Sequence, residues 1–219
     1  MIVRAETIRR GLGGLVFGVN NGEMLQIQQA TLGTADRFVT LEGGIILDPL
    51  LVDVSASGEL DLSMLTTARR AVPEVFPASF VESRGSVRVD ASFKGPPDNI
   101  VADGFVRFGN SEVVIRDVSE PIRISRGEIR FERNRIFIPE QEPLTGGALG
   151  GLFSVYGGLT TSGRDLGPLQ VRGWSHNMNY RVSDAANVTF DTDLNLSAAR
   201  VSDLSTYEVG GSIEVLDGR

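Results

Sequence analysis

The stretch Arg126 to Gly147, RGEIRFERNRIFIPEQEPLTGG, decides the fold. In its first half Glu128, Arg130 and Glu132 alternate with Ile129 and Phe131. Successive side chains on a strand point to opposite faces, so this segment has one charged face and one apolar face. With Arg133 and Asn134 as a two-residue turn, Phe131 falls opposite Ile136 and Ile129 opposite Ile138, all four on the apolar face. Arg-Asn is a poor substitute for the Asn-Gly of tight hairpins, so the turn type stays open. Pro139 and Pro143 end the second strand. What covers the apolar face then decides what the protein does.

The same period of two runs through the rest of the chain. In GSVRVDASFKG, Val87, Val89, Ala91 and Phe93 share a face opposite Ser86, Arg88, Asp90, Ser92 and Lys94. In NVTFDTDLNLS, Val188, Phe190, Leu194 and Leu196 point one way, with Thr192 interrupting. Val106 and Phe108, Leu169 and Val171, and Ile213 and Val215 mark further strands. One segment, Leu60 to Val72, has helical spacing at Leu62, Leu65 and Arg69; Ser63 is its candidate cap, and Pro73 and Pro77 bound it. The 26 glycines and 9 prolines are scattered, as punctuation of short elements.

An approximate repeat is present. LEGGIILDPLLVDVSASGEL from Leu41 resembles LTGGALGGLFSVYGGL from Leu144, VRVDASFKG from Val87 resembles VTFDTDLNLS from Val188, and VADGFVRF from Val101 resembles YEVGGSIEVL from Tyr207. The expected organisation is therefore partial strands over residues 1–40, a first β repeat over 41–143 with a short helix near 62–72, and a second, truncated repeat over 144–219. The repeat is longer than common solenoid units, so each copy holds several strands.

Composition narrows the function. With 21 basic and 28 acidic residues the formal charge is -7, which disfavours nucleic acid or an anionic membrane surface as an unaided partner. The absence of cysteine excludes disulfides, thiolate chemistry and cysteine-based zinc sites. No apolar run approaches the ~20 residues of a membrane-spanning helix. The opening MIVRAETIRRGLGGLVFG has no secretory core, which suits either a cytosolic protein or a piece of a longer exported chain.

No catalytic or metal constellation emerges. His176 is the single histidine and reads as a loop or strand residue. Asp191, Asp193 and Asn195 imitate the start of a calcium loop without its turn glycine or closing glutamate, and strand alternation already accounts for them. GLGGLVFG has Val16 where a dinucleotide fingerprint needs its last glycine, and TGGALGG lacks the lysine of a phosphate loop. The acidic pairs Glu140 with Glu142 and Asp191 with Asp193 carry no mark of a catalytic pair. An enzyme is not expected, nor a cofactor. Trp174, Tyr156 and Tyr180 are the candidates for a carbohydrate platform in an alternative reading, a β-sandwich adhesin or carbohydrate-binding module.

The ordered strings also resemble a family. GELDL at Gly58 to Leu62, a short helix, a glycine-bounded strand from Gly85 to Gly95, a further strand from Gly104 to Gly109, and GEIRFERNRI at Gly127 to Ile136 follow the order seen in the AsmA-like proteins, most of all the translocation and assembly module B (TamB) family. NMNYRVSDAANVTFDTDLNLS and YEVGGSIEVLDGR are similar to that family's carboxyl-terminal region, with Asn195 and Ser197 departing where a glycine-closed strand is usual. Members are far longer and begin with a membrane anchor, so the chain is expected to be an excerpt of a larger protein or a short stand-alone relative.

The resemblance implies an all-β fold, an elongated curved sheet forming a β-taco-like groove with one short helix. It implies a periplasmic, cell-envelope setting in a diderm bacterium, with the full-length protein anchored in the inner membrane. Implied partners are phospholipid acyl chains, an outer-membrane β-barrel protein and adjacent repeats of the full-length chain. The implied groove lining is Val87, Val89, Phe93, Val106, Phe108, Ile129, Phe131, Ile136, Ile138, Val188, Phe190, Leu194, Leu196, Ile213 and Val215. The same alternation would equally build a closed sandwich whose second sheet covers the first.

Overall fold

The computed structural model describes residues 15–20, 24–34, 36–71, 78–116, 118–162, 165–183, 186–199 and 207–218. The strands are β1 (Leu15–Asn20), β2 (Met24–Gly33), β3 (Phe38–Leu47), β4 (Leu50–Asp61), β5 (Phe80–Gly95), β6 (Val101–Ile115) and β7 (Ile122–Arg133). They continue as β8 (Arg135–Ile138), β9 (Leu144–Ala148), β10 (Gly151–Ser162), β11 (Asp165–Ser183), β12 (Ala186–Ala198) and β13 (Tyr207–Gly218). A single helix among the described residues, α1 (Ser63–Ala71), stands between β4 and β5.

All thirteen strands form one curved antiparallel sheet in chain order, with β8 and β9 together filling one rung between β7 and β10. The result is a meander, each strand returning beside the one before it. Twelve rungs at ~4.8 Å spacing extend about 53 Å across the sheet. Each strand packs against its neighbours in the sheet, and among the described residues no second sheet lies over either face. The described strands thus make one sheet rather than the two of a closed sandwich.

The opening stretch folds as its alternation demands. β7 and β8 form the expected hairpin, with Phe131 opposite Ile136 and Glu132 opposite Arg135. Arg133 supplies the left-handed backbone of the turn at φ 52°. β8 stops at Ile138, before Pro139, and β9 starts at Leu144, after Pro143. The loop between those prolines is thus an excursion out of one rung. The boundary expected at 143/144 falls inside that rung.

Helix α1 closes a gap. β4 ends opposite Ser86, so the first part of β5 has β6 on one side and, among the described residues, no strand on the other. The helix supplies side-chain partners for that edge. Thr66 Oγ1 accepts the Ser83 N–H at 3.1 Å, and Arg69 donates to the Val81 carbonyl at 3.1 Å. Ser83 Oγ donates to the Leu62 carbonyl at 2.7 Å, and the Leu62 N–H donates to the Gly85 carbonyl at 2.9 Å. An uncovered edge invites pairing with another chain, and this arrangement removes that option locally. Ser63 is not the cap: it donates its N–H to Asp61 Oδ1 at 2.8 Å, and hydrogen bonds from the Ser63 side chain and backbone hold the Asp61 carboxyl below its usual range. Val72, the expected last residue, lies outside the described residues.

The strings of the approximate repeat all fall on strands. The first pair occupies β3–β4 and β9–β10, the second β5 and β12, the third β6 and β13. The two series are spaced differently. β4 is paired directly with β5, with α1 in the connection, whereas β11 intervenes between β10 and β12.

Candidate functional site

Directly opposed residues in a ladder share a face, so the registers trace rows across the whole sheet. One row is Ala30, Leu41, Ala56, Ala91, Gly104, Phe131, Ile136, Leu159, Leu169, Ala198 and Tyr207. The next holds Leu32, Val39, Gly58, Val89, Val106 and Ile129, and continues as Ile138, Gly157, Val171, Leu196 and Val209. A third holds Leu60, Val87, Phe108 and Gly127, and then Leu144, Val155, Gly173, Leu194 and Gly211. On the far side of the first row lie Ile27, Gly43, Val54, Phe93 and Ala102.

The structure thus brings every residue of the expected lining to one face. Val188 joins it opposite Tyr180, and Phe190 opposite Met178 and Val215. Val87 is buried at 3% exposure, while Ile213 and Val215 on the edge strand are 64% and 63% exposed. The other twelve are half-buried, each shielded by its neighbours in the sheet. Few large apolar side chains are buried outright among the described residues. The face is an apolar surface rather than a core.

Its polar interruptions are satisfied internally. Thr192, the break in the β12 alternation, shares a hydrogen bond with Ser175 at 2.8 Å. Ser111, almost fully buried, donates to the Ser86 and Gly109 carbonyls. Glycines keep the rows close. Gly104 has φ 130°, and a Cβ there would run into the Asp90 carbonyl oxygen.

Sequence reading missed many residues of this face, among them Val39, Leu41, Val54, Phe153, Val155, Leu159 and Met178. Glycines hide the period in GGLFSVYGG, where neither face shows a run of apolar side chains. A bulge hides it in β11: Ser175 pairs with Thr192 and Met178 with Phe190, so two residues oppose the single Asp191. Asn177 sits there at φ 55°, donating its N–H to Asp191 Oδ1 at 2.7 Å, and His176 Nδ1 lies 2.6 Å from Asp191 Oδ2. The Asn177 bond, with His176 beside it, holds the Asp191 carboxyl below its usual range. His176 and Asp191 therefore pin a bulge.

That bulge also divides the aromatic candidates. Trp174 and Tyr156 lie on the hydrophilic face, whereas Tyr180, past the bulge, lies on the apolar one. The three do not form one platform.

The hydrophilic face has its own centre. Glu128 is only 4% exposed, yet charged. Arg107 donates to it at 2.7 Å and Arg130 at 2.6 Å. Arg130 also holds Glu142, in the loop joining β8 to β9. Burial pushes the Glu128 carboxyl up, but the bonds and charges of Arg130 and Arg107 outweigh it and leave the group below its ordinary range. Among the described residues no group of three or more acidic or histidine side chains is placed to hold a metal ion. No described helix is long and apolar enough to cross a membrane. No family model, curated protein or solved structure matches the chain.

Proposed function

We propose that this chain is a segment of a cell-envelope protein whose apolar face shelters phospholipid acyl chains in transit between inner and outer membranes, with a supporting part in outer-membrane protein assembly. The observation that carries the reading is the apolar face, laid across the sheet with its few polar interruptions satisfied internally and no second sheet of described residues above it. A soluble monomer rarely displays so large a contiguous apolar surface without a partner for it. An acyl chain is a chemically fitting partner. Exposing it to water costs ~0.8 kcal/mol per CH₂, or about 12 kcal/mol for a tail of roughly sixteen carbons. The backbone polar groups are paired within the ladder, so a tail lying on the face meets side chains rather than unsatisfied amides. The lining is Val, Ile, Leu, Phe, Ala and Gly, without the convergent polar groups that would select one small molecule. The TamB-like order of strings supports the same reading, and a periplasmic setting and a barrel partner are part of the proposal on that likeness alone.

The test is lipid occupancy. Mass spectrometry of gently extracted protein should find phospholipid bound. Phe131→Arg and Phe190→Arg should lose it while keeping the β-rich circular dichroism of the parent. Protein that emerges lipid-free, and fails to take up a fluorescent phospholipid from vesicles, would defeat the reading.

A further inference from the structure

We propose that the hydrophilic face carries a second binding site, for an extended neutral polysaccharide chain of the β-1,4-linked class, laid across β8, β10 and β11. On the hydrophilic face, which also carries Phe105 and Leu152, three aromatic residues fall on one diagonal. Phe137 is opposite Gly158 on β10; Tyr156, two residues before Gly158, is opposite Arg172 on β11; Trp174, two residues beyond Arg172, is opposite Ser154. Each step moves one strand across and two residues along, a diagonal separation of roughly 7–8 Å. Trp174 is 47% exposed. An exposed large ring on a polar surface marks a contact surface.

The lower part of the diagonal borders a hollow of about 690 Å³. Its floor at Gly158 is bare backbone, because a Cβ there would strike Ile136 O and Phe137. Phe137, Tyr156 and Gln170 wall it, and the Arg135 guanidinium lies over the Phe137 ring, 4.7 Å from its centroid. Rings that stack on C–H faces, set among planar side chains able to fork to vicinal hydroxyls, are what a sugar chain needs. Gln170, Arg172 and Asn195 supply those forks on the same face. Arg130 and Arg135 balance Glu132 and Glu140 at the hollow, and Arg172 stands beside Asp193, so the site presents a polyanion with no net cationic patch, and its charged rim excludes an acyl tail.

The chain has one tryptophan, so its emission reports this site alone. Titration with cellohexaose or chitohexaose should blue-shift and saturate the Trp174 signal. Phe137→Ala and Tyr156→Ala should each weaken that binding by roughly tenfold or more, and Trp174→Ala should abolish the calorimetric heat. Tyr180→Ala, on the other face, should leave it unchanged in protein of parental circular dichroism. No saturable shift with either hexasaccharide would overturn the proposal. So would a shift given by an oligoproline peptide in place of the glycans, or equal losses from Tyr180→Ala and Tyr156→Ala. Phospholipid occupancy is read on the opposite face, so each proposal can fail without the other.

Discussion

The two faces of this sheet handle the same backbone in opposite ways. The apolar face spreads its hydrophobic side chains over rows that cross the sheet, and leaves most of them half-buried. The hydrophilic face gathers its most buried charge at one point, Glu128, and encloses it with two arginines and a looped-out segment. With no second sheet among the described residues, the ladder and its cross-strand pairs carry the fold. Neither surface is consumed by a core, and both stay available to ligands.

Breaking the ladder should therefore cost more than altering either face. Gly104→Val forces a side chain against the Asp90 carbonyl at φ 130°, and should lower unfolding free energy in urea by about 3 kcal/mol. Glu128→Ala leaves Arg107 and Arg130 without their shared anion. Both arginines reach water, so the loss should be about 2 kcal/mol rather than the larger figure for a sealed pair.

The pH dependence of stability sharpens the same point. The folded Glu128 pKa is depressed, so its contribution is complete above the ordinary glutamate value of about 4.3 and disappears as pH falls through the folded value below it. Glu128→Gln should flatten that acid limb of the stability curve. Phe131→Arg should cost only about 1–2 kcal/mol, because a half-buried position lets the guanidinium reach water; a loss as large as ~4 kcal/mol would mean that the apolar face is covered after all. Smallest of all, Trp174→Ala should move the urea midpoint by no more than about 0.5 kcal/mol equivalent.

Much of the apolar face was legible because alternation is a local property. β5, β7 and β12 announce it in GSVRVDASFKG, GEIRFER and NVTFDTDLNLS, and the Phe131–Ile136 pairing follows from counting across a two-residue turn. Three features were not legible. Glycine carries no side chain to mark a face, so β9 and β10 looked featureless. The bulge at His176 and Asn177 shifts the phase in mid-strand, which sends Tyr180 to the opposite face from Trp174 and Tyr156. The edge-covering role of α1 depends on β4 stopping opposite Ser86, a matter of register between segments rather than within one. Alternation likewise could not separate an open face from a sandwich, because both bury one side of every strand to some degree.

The strictly sequential order of the strands has a consequence for how the molecule comes into being. Every rung needs only the rung before it, so assembly can advance as a zipper, hairpin upon hairpin, with short loops to close. Energy is then shared between nearest neighbours, as in a one-dimensional array. A lesion in β5 should fray the ribbon locally and leave the β11–β13 end intact, which hydrogen exchange resolved by residue would display as two protection levels within one chain.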